Sequence, residues 1–471
     1  MISPSHSGSM PPALRKRTKR VLIRIVLWGS LMALAGSSTA QTSAPGRSSD
    51  AATPQLAADW LAEAAKQVTP GESNLLARAQ ATLLGNMVSG DAWKPYRGFM
   101  PSLGTYRGVW NWDSAFHAVA VSHWNGPLAR EQFEIFFGKQ LPNGELPDVI
   151  WENGTMVTSS TKPPVMAWAV AVVDRRSSDK SDTRFLQEIY PKLVKLGDFW
   201  LKERGGEADG LFYYAGADVG YDSGWDDAIR WDDGYRTSKS DAHRLWAVDL
   251  NCYMVMHYRA MAYLAERLNL AHDQKIWLKK ANILAKRINA KLWDKRLGFY
   301  VDRDRVTGKN GPALSPAGFM PLFVHIANSA RAARMAKLAA DPQKFFPGMP
   351  TAAYDTPGYD SNAFWRGPAW LNTSYFAIKG LRDYGCLQLA ETLRTTLLGW
   401  IARDPATIWE HYDSKTGGGA GAKAFGWSAA FSIAFVLDWD NDHLTWFFPK
   451  ARRVFYGDVP RVAGSQRTDG R

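Results

Sequence analysis

The chain has 471 residues, 46% of them hydrophobic and 22% charged, an ordinary globular composition with enough material to bury a large core. Its net charge of +12 is concentrated at the ends: residues 1–40 carry Lys/Arg and no Asp/Glu, and residues 449–471 carry Lys450, Arg452, Arg453, Arg461, Arg467 and Arg471 against Asp458 and Asp469. The body is close to neutral, so the basic balance does not point to nucleic acid. Two cysteines, Cys252 and Cys386, exclude a disulfide framework and leave either one bridge or two buried thiols.

Residues 1–40 have the order of a secretory signal. Arg15, Lys16, Arg17, Lys19, Arg20 and Arg24 precede an apolar run from Ile25 to Ala35, and Ser38-Thr39-Ala40 offers a cleavage site before Gln41. An uncleaved anchor is the alternative. No other stretch approaches 18 apolar residues, so the mature protein is expected to be soluble, secreted or periplasmic, with no membrane partner. Residues 41–57 are expected to be a flexible linker, Ser/Ala/Pro-rich from Ser43 to Ala57.

Beyond a short opening helix near Leu56–Val68, apolar residues recur at three and four, and alternating runs are scarce. Helices are predicted near 75–88, 110–124, 129–140, 163–176, 184–204, 248–269, 271–294, 318–328, 329–340, 370–386, 389–403 and 426–439. Two kinds alternate. Asn111–Trp124, Pro163–Val173, Asn251–Leu264 and Trp427–Leu437 are apolar or small on most faces, as a helix buried all round must be. Phe185–Arg204, Ala271–Trp293 and Ser329–Ala340 are charged on one side. Six inner helices alternating with six outer ones describe an all-α (α/α)6 toroid over residues 58–448, followed by a basic tail at 449–471. An irregular helical bundle is the alternative.

The long polar connections precede the inner helices: Lys94–Val109, Leu141–Lys162, Gly205–Val248, Gly298–Ala317, Phe345–Pro368 and Ile408–Phe425. They therefore gather at one end of the ring, where a rigid scaffold presents a site. The third of them contains Asp222-Ser-Gly-Trp-Asp226-Asp-Ala-Ile-Arg230-Trp231, and the sixth contains Trp409-Glu410-His411-Tyr412-Asp413. Tryptophans beside acids suit a sugar, with an apolar wall for C–H groups and carboxylates for hydroxyls. The third and sixth inner helices of a six-membered ring are opposite, so the two acidic loops face each other. Opposed carboxylates are the equipment of glycoside hydrolysis, and about 6.5–9.5 Å between them leaves room for the water of an inverting reaction.

These stretches resemble known families. The segment 222–231 looks like the Glu-Ser-Gly-Trp-Asp-Phe-Ser-Ser-Arg-Trp signature of trehalases, glycoside hydrolase family 37. Phe364-Trp365-Arg366-Gly367-Pro368-Ala369-Trp370 resembles the Tyr-Trp-Arg-Gly-Pro-Val-Trp motif of glycoside hydrolase family 63, which includes mannosylglycerate hydrolases. Trp409–Asp413, Gly417-Gly418-Gly419 and Phe425-Gly426-Trp427-Ser428 are similar to a C-terminal element of both, and Val109-Trp-Asn-Trp-Asp113-Ser-Ala-Phe116 to their early Trp-Asp element. Lys162-Pro163-Pro164 stands where Gln-Pro-Pro is usual, and Asp222 where Glu is usual. The trehalase Gln-Trp-Asp element is absent, which favours a compact, mannosylglycerate-hydrolase-like member.

The resemblance implies that Asp226 is the general acid and Glu410 the general base. It implies that Asp113 and Arg366 hold sugar hydroxyls, that Trp112, Trp225, Trp370 and Trp427 contribute to substrate binding, and that Arg230 orients Asp226 or meets substrate. Asp227, Asp232 and Asp233 read as loop ion pairs or caps, and His117, His243 and His411 as packing groups. The expected partner is a small carbohydrate, with no cofactor or metal. Two other functions fit the same ring: a sugar 2-epimerase-type isomerase, which needs a base such as His beside the sugar, and a sugar-binding protein without turnover.

Overall fold

A computed structural model of the chain describes residues 52–236, 245–451 and 454. Twelve helices among them build two concentric rings: α1 (Pro70–Asn86), α2 (Asn111–Val121), α3 (Gly126–Phe137), α4 (Met166–Arg176), α5 (Arg184–Glu203), α6 (Val248–Arg267), α7 (Ala271–Lys291), α8 (Met320–Phe323, extending a 3-10 turn at Pro316–Phe319), α9 (Ser329–Ala339), α10 (Leu371–Asp383), α11 (Leu387–Arg403) and α12 (Gly426–Leu437). The even-numbered helices form the inner ring. Each packs on the next, and α12 closes back onto α2. Outer helix α3 lies on α2, α7 on α6 and α11 on α10, while α1, first in the chain, lies on the last inner helix, α12. The (α/α)6 toroid expected from patterning is the observed architecture.

Sequence dictates the split between the rings. In α12 every residue from Gly426 to Phe435 is buried, as its apolar and small composition requires. In α5 only one face is buried, through Leu186, Ile189, Leu193, Leu196 and Trp200, and the opposite face carries its charge. Thr69-Pro70-Gly71-Glu72 starts α1 as a capping box. The Thr69 hydroxyl accepts from the Glu72 N–H, and the Glu72 carboxylate accepts from the Thr69 N–H.

Two expectations need correction. Residues 41–51 of the predicted linker lie outside the described residues, and residues 52–57 belong instead to a helix, Ala52–Ala64. Its Ala, Leu and Trp content favours helix, and buried Thr53 is tied down by the Asn125 amide, which donates to its hydroxyl at 3.1 Å. The helix predicted over 318–328 is short, because Pro321 opens its α-helical part and His325 adopts a left-handed φ of 56° just beyond it. The signal segment and most of the basic tail lie outside the described residues. Among the described residues no helix is long and apolar enough to cross a membrane. Cys252 and Cys386 are both free and buried.

The loops entering the inner helices carry short strands. β1 (Gly108–Trp110) pairs with β2 (Val149–Trp151), which pairs with β3 (Met156–Val157), and β1 runs straight into α2. β4 (His411–Tyr412) pairs with β5 (Gly419–Ala420) just before α12. These strands fix the loop bases from which the site is built.

Candidate active site

One pocket at the loop end draws on both acidic stretches. Trp112, Asp113, Asp226, Trp370, Glu410 and Trp427 line it together. The sequence kept these residues far apart, and the ring brings them to one cavity.

Asp226 follows a tight turn. Gly224 sits at φ 74°, and a Cβ there would run into the Trp112 ring, so only glycine fits. Asp222 clasps the loop from beneath. Its carboxylate accepts from the Thr161 N–H at 3.0 Å and the Ala215 N–H at 2.9 Å, with the Arg204 guanidinium at 3.4 Å. Burial pushes the Asp226 carboxyl up to about 7, against the opposing pull of the Lys162 cation. No protein donor among the described residues hydrogen-bonds its carboxyl.

Glu410 has the opposite surroundings. The Tyr106 hydroxyl donates to its Oε1 at 2.7 Å, and the Ala422 N–H donates to its Oε2 at 2.8 Å. Burial raises its pKa, and these two donors favour the ionised form. Gly421, at φ 77°, lets the chain pass close to the carboxylate, where a Cβ would clash with it.

Asp113 lies in the first turn of α2, 2% exposed, and burial drives its carboxyl up to about 8 while Lys162 pulls it down. Lys162 is the pocket's own cation. Its buried ammonium donates to Asp148 Oδ2 at 3.0 Å and to the Tyr221 carbonyl. Burial works against its charge, but Asp148, Asp226 and Asp113 outweigh that, and its pKa is raised.

Three expected substrate-binding residues stand outside the pocket lining. Arg230 is buried in an ion triad, donating to both oxygens of Asp249 and both of Asp302 at 2.8–2.9 Å. These carboxylates take its donors, and losing one partner of such a buried pair costs about 3–5 kcal/mol. Arg366 donates to the Asp227 carbonyl at 3.1 Å and to both oxygens of Asp232 at 3.1 and 2.7 Å. Trp225 lies behind Trp365, with ring centroids 5.2 Å apart. Two of the loop acids, Asp227 and Asp232, make the loop contacts expected of them. Asp232 pairs with Arg366, and Asp227 accepts from the Trp365 N–H at 2.8 Å. His117 is fully buried, and burial lowers it to about 3. His411 is lowered to about 4 by burial. His243 lies outside the described residues.

The sequence reading did not assign Tyr106, Trp110, Lys162, Phe364, Trp365 and Phe425 to the pocket that they line. Lys162, Phe364, Trp365 and Phe425 stand inside or beside recognisable motifs, so proximity was a usable signal. Tyr106 carries no such mark, and only the fold sets it against Glu410. A carboxyl that keeps its proton to about 7 and a carboxylate held by two donors in one aromatic pocket can serve as acid and base. Among the described residues no group of three His, Cys, Asp or Glu could hold a metal ion.

A family model described as mannosylglycerate hydrolase MGH1-like glycoside hydrolase domain matches residues 106–428. The chain is 25% identical over 409 residues to a mannosylglycerate hydrolase of Rubrobacter radiotolerans, covering 71% of this chain and 91% of that one. It is 24% identical over 401 residues to a periplasmic trehalase of Salmonella enteritidis, covering 71% and 66% respectively. Among solved structures, a mannosylglycerate hydrolase of Thermus thermophilus in complex with glucose superposes with a TM-score of 0.68 at 25% identity, over 76% of this chain and 99% of that one. Neutral trehalase of Saccharomyces cerevisiae, 19% identical, shares the fold with a TM-score of 0.60 over 74% of each chain.

Proposed function

The chain belongs to the mannosylglycerate hydrolase MGH1-like glycoside hydrolase family, and on that premise we propose an inverting α-glycosidase that cleaves a small α-glucoside or α-mannoside of disaccharide or glycosylglycerate type. That it is a glycoside hydrolase acting on small glycosides follows from the family and its relatives. The observation that carries the finer reading is the contrast between Asp226 and Glu410 across one pocket. Asp226 is half-buried, has no hydrogen-bond donor among the described residues and keeps its proton to about 7, as an acid must. Glu410 accepts from Tyr106 and Ala422, as an ionised base does.

In the proposed mechanism Asp226 gives its proton to the glycosidic oxygen as the bond to the anomeric carbon breaks. Glu410 takes a proton from a water that attacks that carbon from the other side. Their loops enter the third and sixth inner helices, α6 and α12, on opposite sides of the ring, which supports the wide spacing of an inverting pair. Trp112, Trp370 and Trp427 give the sugar an apolar wall, and Asp113 and Lys162 supply polar partners for its hydroxyls. No histidine among the described residues lines the pocket, which weighs against the epimerase alternative.

The test is proton NMR during early turnover of trehalose, kojibiose, nigerose, maltose, mannosylglycerate and glucosylglycerate. One of them should be hydrolysed with the glycone released first as the β-anomer, which for trehalose means equal α- and β-glucose because the leaving glucose keeps its own α-configuration. A glycone released first as the α-anomer would establish a retaining reaction and overturn the assignment of Glu410. Export belongs to the same proposal and rests on the pattern of residues 1–40. N-terminal sequencing from the native host should read from near Gln41, and an intact Met1 would refute it.

A further inference from the structure

The motif Phe364–Trp370 reads in sequence as a sugar-binding element, yet its arginine points its hydrogen bonds at the protein. What the segment does touch is the residues that flank both halves of the acid/base pair. Its Trp365 N–H donates to the side chain of Asp227, the residue after Asp226, at 2.8 Å. Its Arg366 holds the Asp227 carbonyl and Asp232. At the other end, Ala369 and Tyr412 exchange backbone hydrogen bonds at 2.8 and 3.0 Å, two residues beyond Glu410.

The side chains repeat the connection. Trp225, the residue before Asp226, stacks on Trp365 with centroids 5.2 Å apart and planes 24° apart. Trp365 stacks on Trp370 at 3.9 Å and 7°. Trp370 faces His411, the residue after Glu410, at 4.9 Å and 32°. The column is anchored at its far end, where the Arg230 guanidinium lies 4.9 Å from the Trp225 ring. Among the described residues neither Trp225 Nε1 nor His411 Nδ1 has a hydrogen-bond partner. Both rings are buried, and neither lines the pocket.

We propose that Phe364–Trp370 is a spacer that fixes the separation of Asp226 and Glu410, with Trp225 and His411 as positioning residues coupling it to each. The inference rests on the reading of Asp226 and Glu410 as acid and base. Flat rings in contact cannot approach further and leave no gap to close, so a four-ring column holds its ends at a set distance. Its backbone bonds pin the same two ends, and Pro368 stiffens the link between Trp365 and Ala369. The reaction needs that precision, because a misplacement of about 1 Å costs on the order of 100-fold in rate.

The experiment compares Trp225→Leu and His411→Ala on the natural glycoside and on the matching glycosyl fluoride, whose leaving group needs little protonation. Asp226→Asn and Glu410→Gln are the controls. Each positioning variant should lose about 10–100-fold in kcat, with KM within about twofold, because these residues adjoin the pair in the chain and do not line the pocket. Trp225→Leu should spare the fluoride, as a displaced acid would. His411→Ala should slow both substrates alike, as a displaced base would, and His411→Phe, which keeps a flat ring, should restore most of the rate. Trp225→Phe and His411→Leu serve if the first pair folds poorly. If Asp226→Asn spares the fluoride but Trp225→Leu does not, or if His411→Phe is no better than His411→Leu, the spacer is refuted. If Asp226→Asn itself fails to spare the fluoride, the acid/base reading falls first.

Discussion

Asp226→Asn is expected to lower kcat on the natural glycoside by about 10²–10⁴-fold, the usual worth of a positioned proton donor, while a glycosyl fluoride is largely spared. Asparagine has the same shape, so the turn at Gly224 and the clasp at Asp222 survive. What it removes is the proton that burial holds on the Asp226 carboxyl up to about 7. The wild-type rate should therefore fall as pH rises through about 7, and that limb should vanish in the variant. The substitution acts on stability with the opposite sign to its action on rate. An unfolded aspartate gives up its proton near 3.8, and the folded one near 7. Between those values the folded state binds more protons, so rising pH costs the wild type stability that the neutral amide does not lose. Asp226→Asn should thus melt at or above the wild-type temperature at about pH 8. A variant that slows the fluoride as much as the glycoside removes Asp226 from the acid role, and Asp227 becomes the next residue to test.

That a candidate acid/base pair could be read from one sequence follows from the fold's regularity. Helix period and burial depend on local composition, so α2, α4, α6 and α12 were legible as inner helices and the loops before them as the site. Asp113, Asp226 and Glu410 then fell into the pocket because they sit in those loops or at their ends. The arginines were not legible in this way. Arg230 meets Asp302, 72 residues away, and Arg366 meets Asp232, 134 residues away. No spacing rule announces an ion pair at such distances, and a motif arginine looks the same whether it faces a sugar or a carboxylate. Trp225 was misplaced for a related reason. The tight turn at Gly224 sends Trp225 and Asp226 in different directions, one behind Trp365 and the other into the cavity. The early start of the first helix, at Ala52, was hidden by Ser, Ala and Pro just upstream, because alanine serves a linker and a helix equally well.

Glu410→Gln is expected to lower kcat by about 10²–10⁴-fold on glycoside and fluoride alike, because every substrate needs an activated water. The substitution keeps the shape of the side chain. Its remaining oxygen can still accept from the Ala422 N–H, and the Tyr106 hydroxyl can rotate to accept from the new amide. The fold should therefore hold, with circular dichroism near wild type. The two groups that now donate to the carboxylate favour its ionised form against the opposing effect of burial. The wild-type rate should accordingly rise with pH as Glu410 ionises, and the variant should lack that low-pH limb. Azide offers a sharper readout. It is already an anion and needs no base, so it can attack the anomeric carbon from the side where the water stood, as Asp226 protonates the leaving oxygen. Glu410→Gln should regain part of its rate in azide and release a β-glycosyl azide from an α-linked substrate. An α-glycosyl azide would require a second displacement on a β-linked glycosyl-enzyme, so it would make the missing carboxylate the acid/base of a retaining reaction, and a variant with near-normal hydrolysis would remove Glu410 from the reaction.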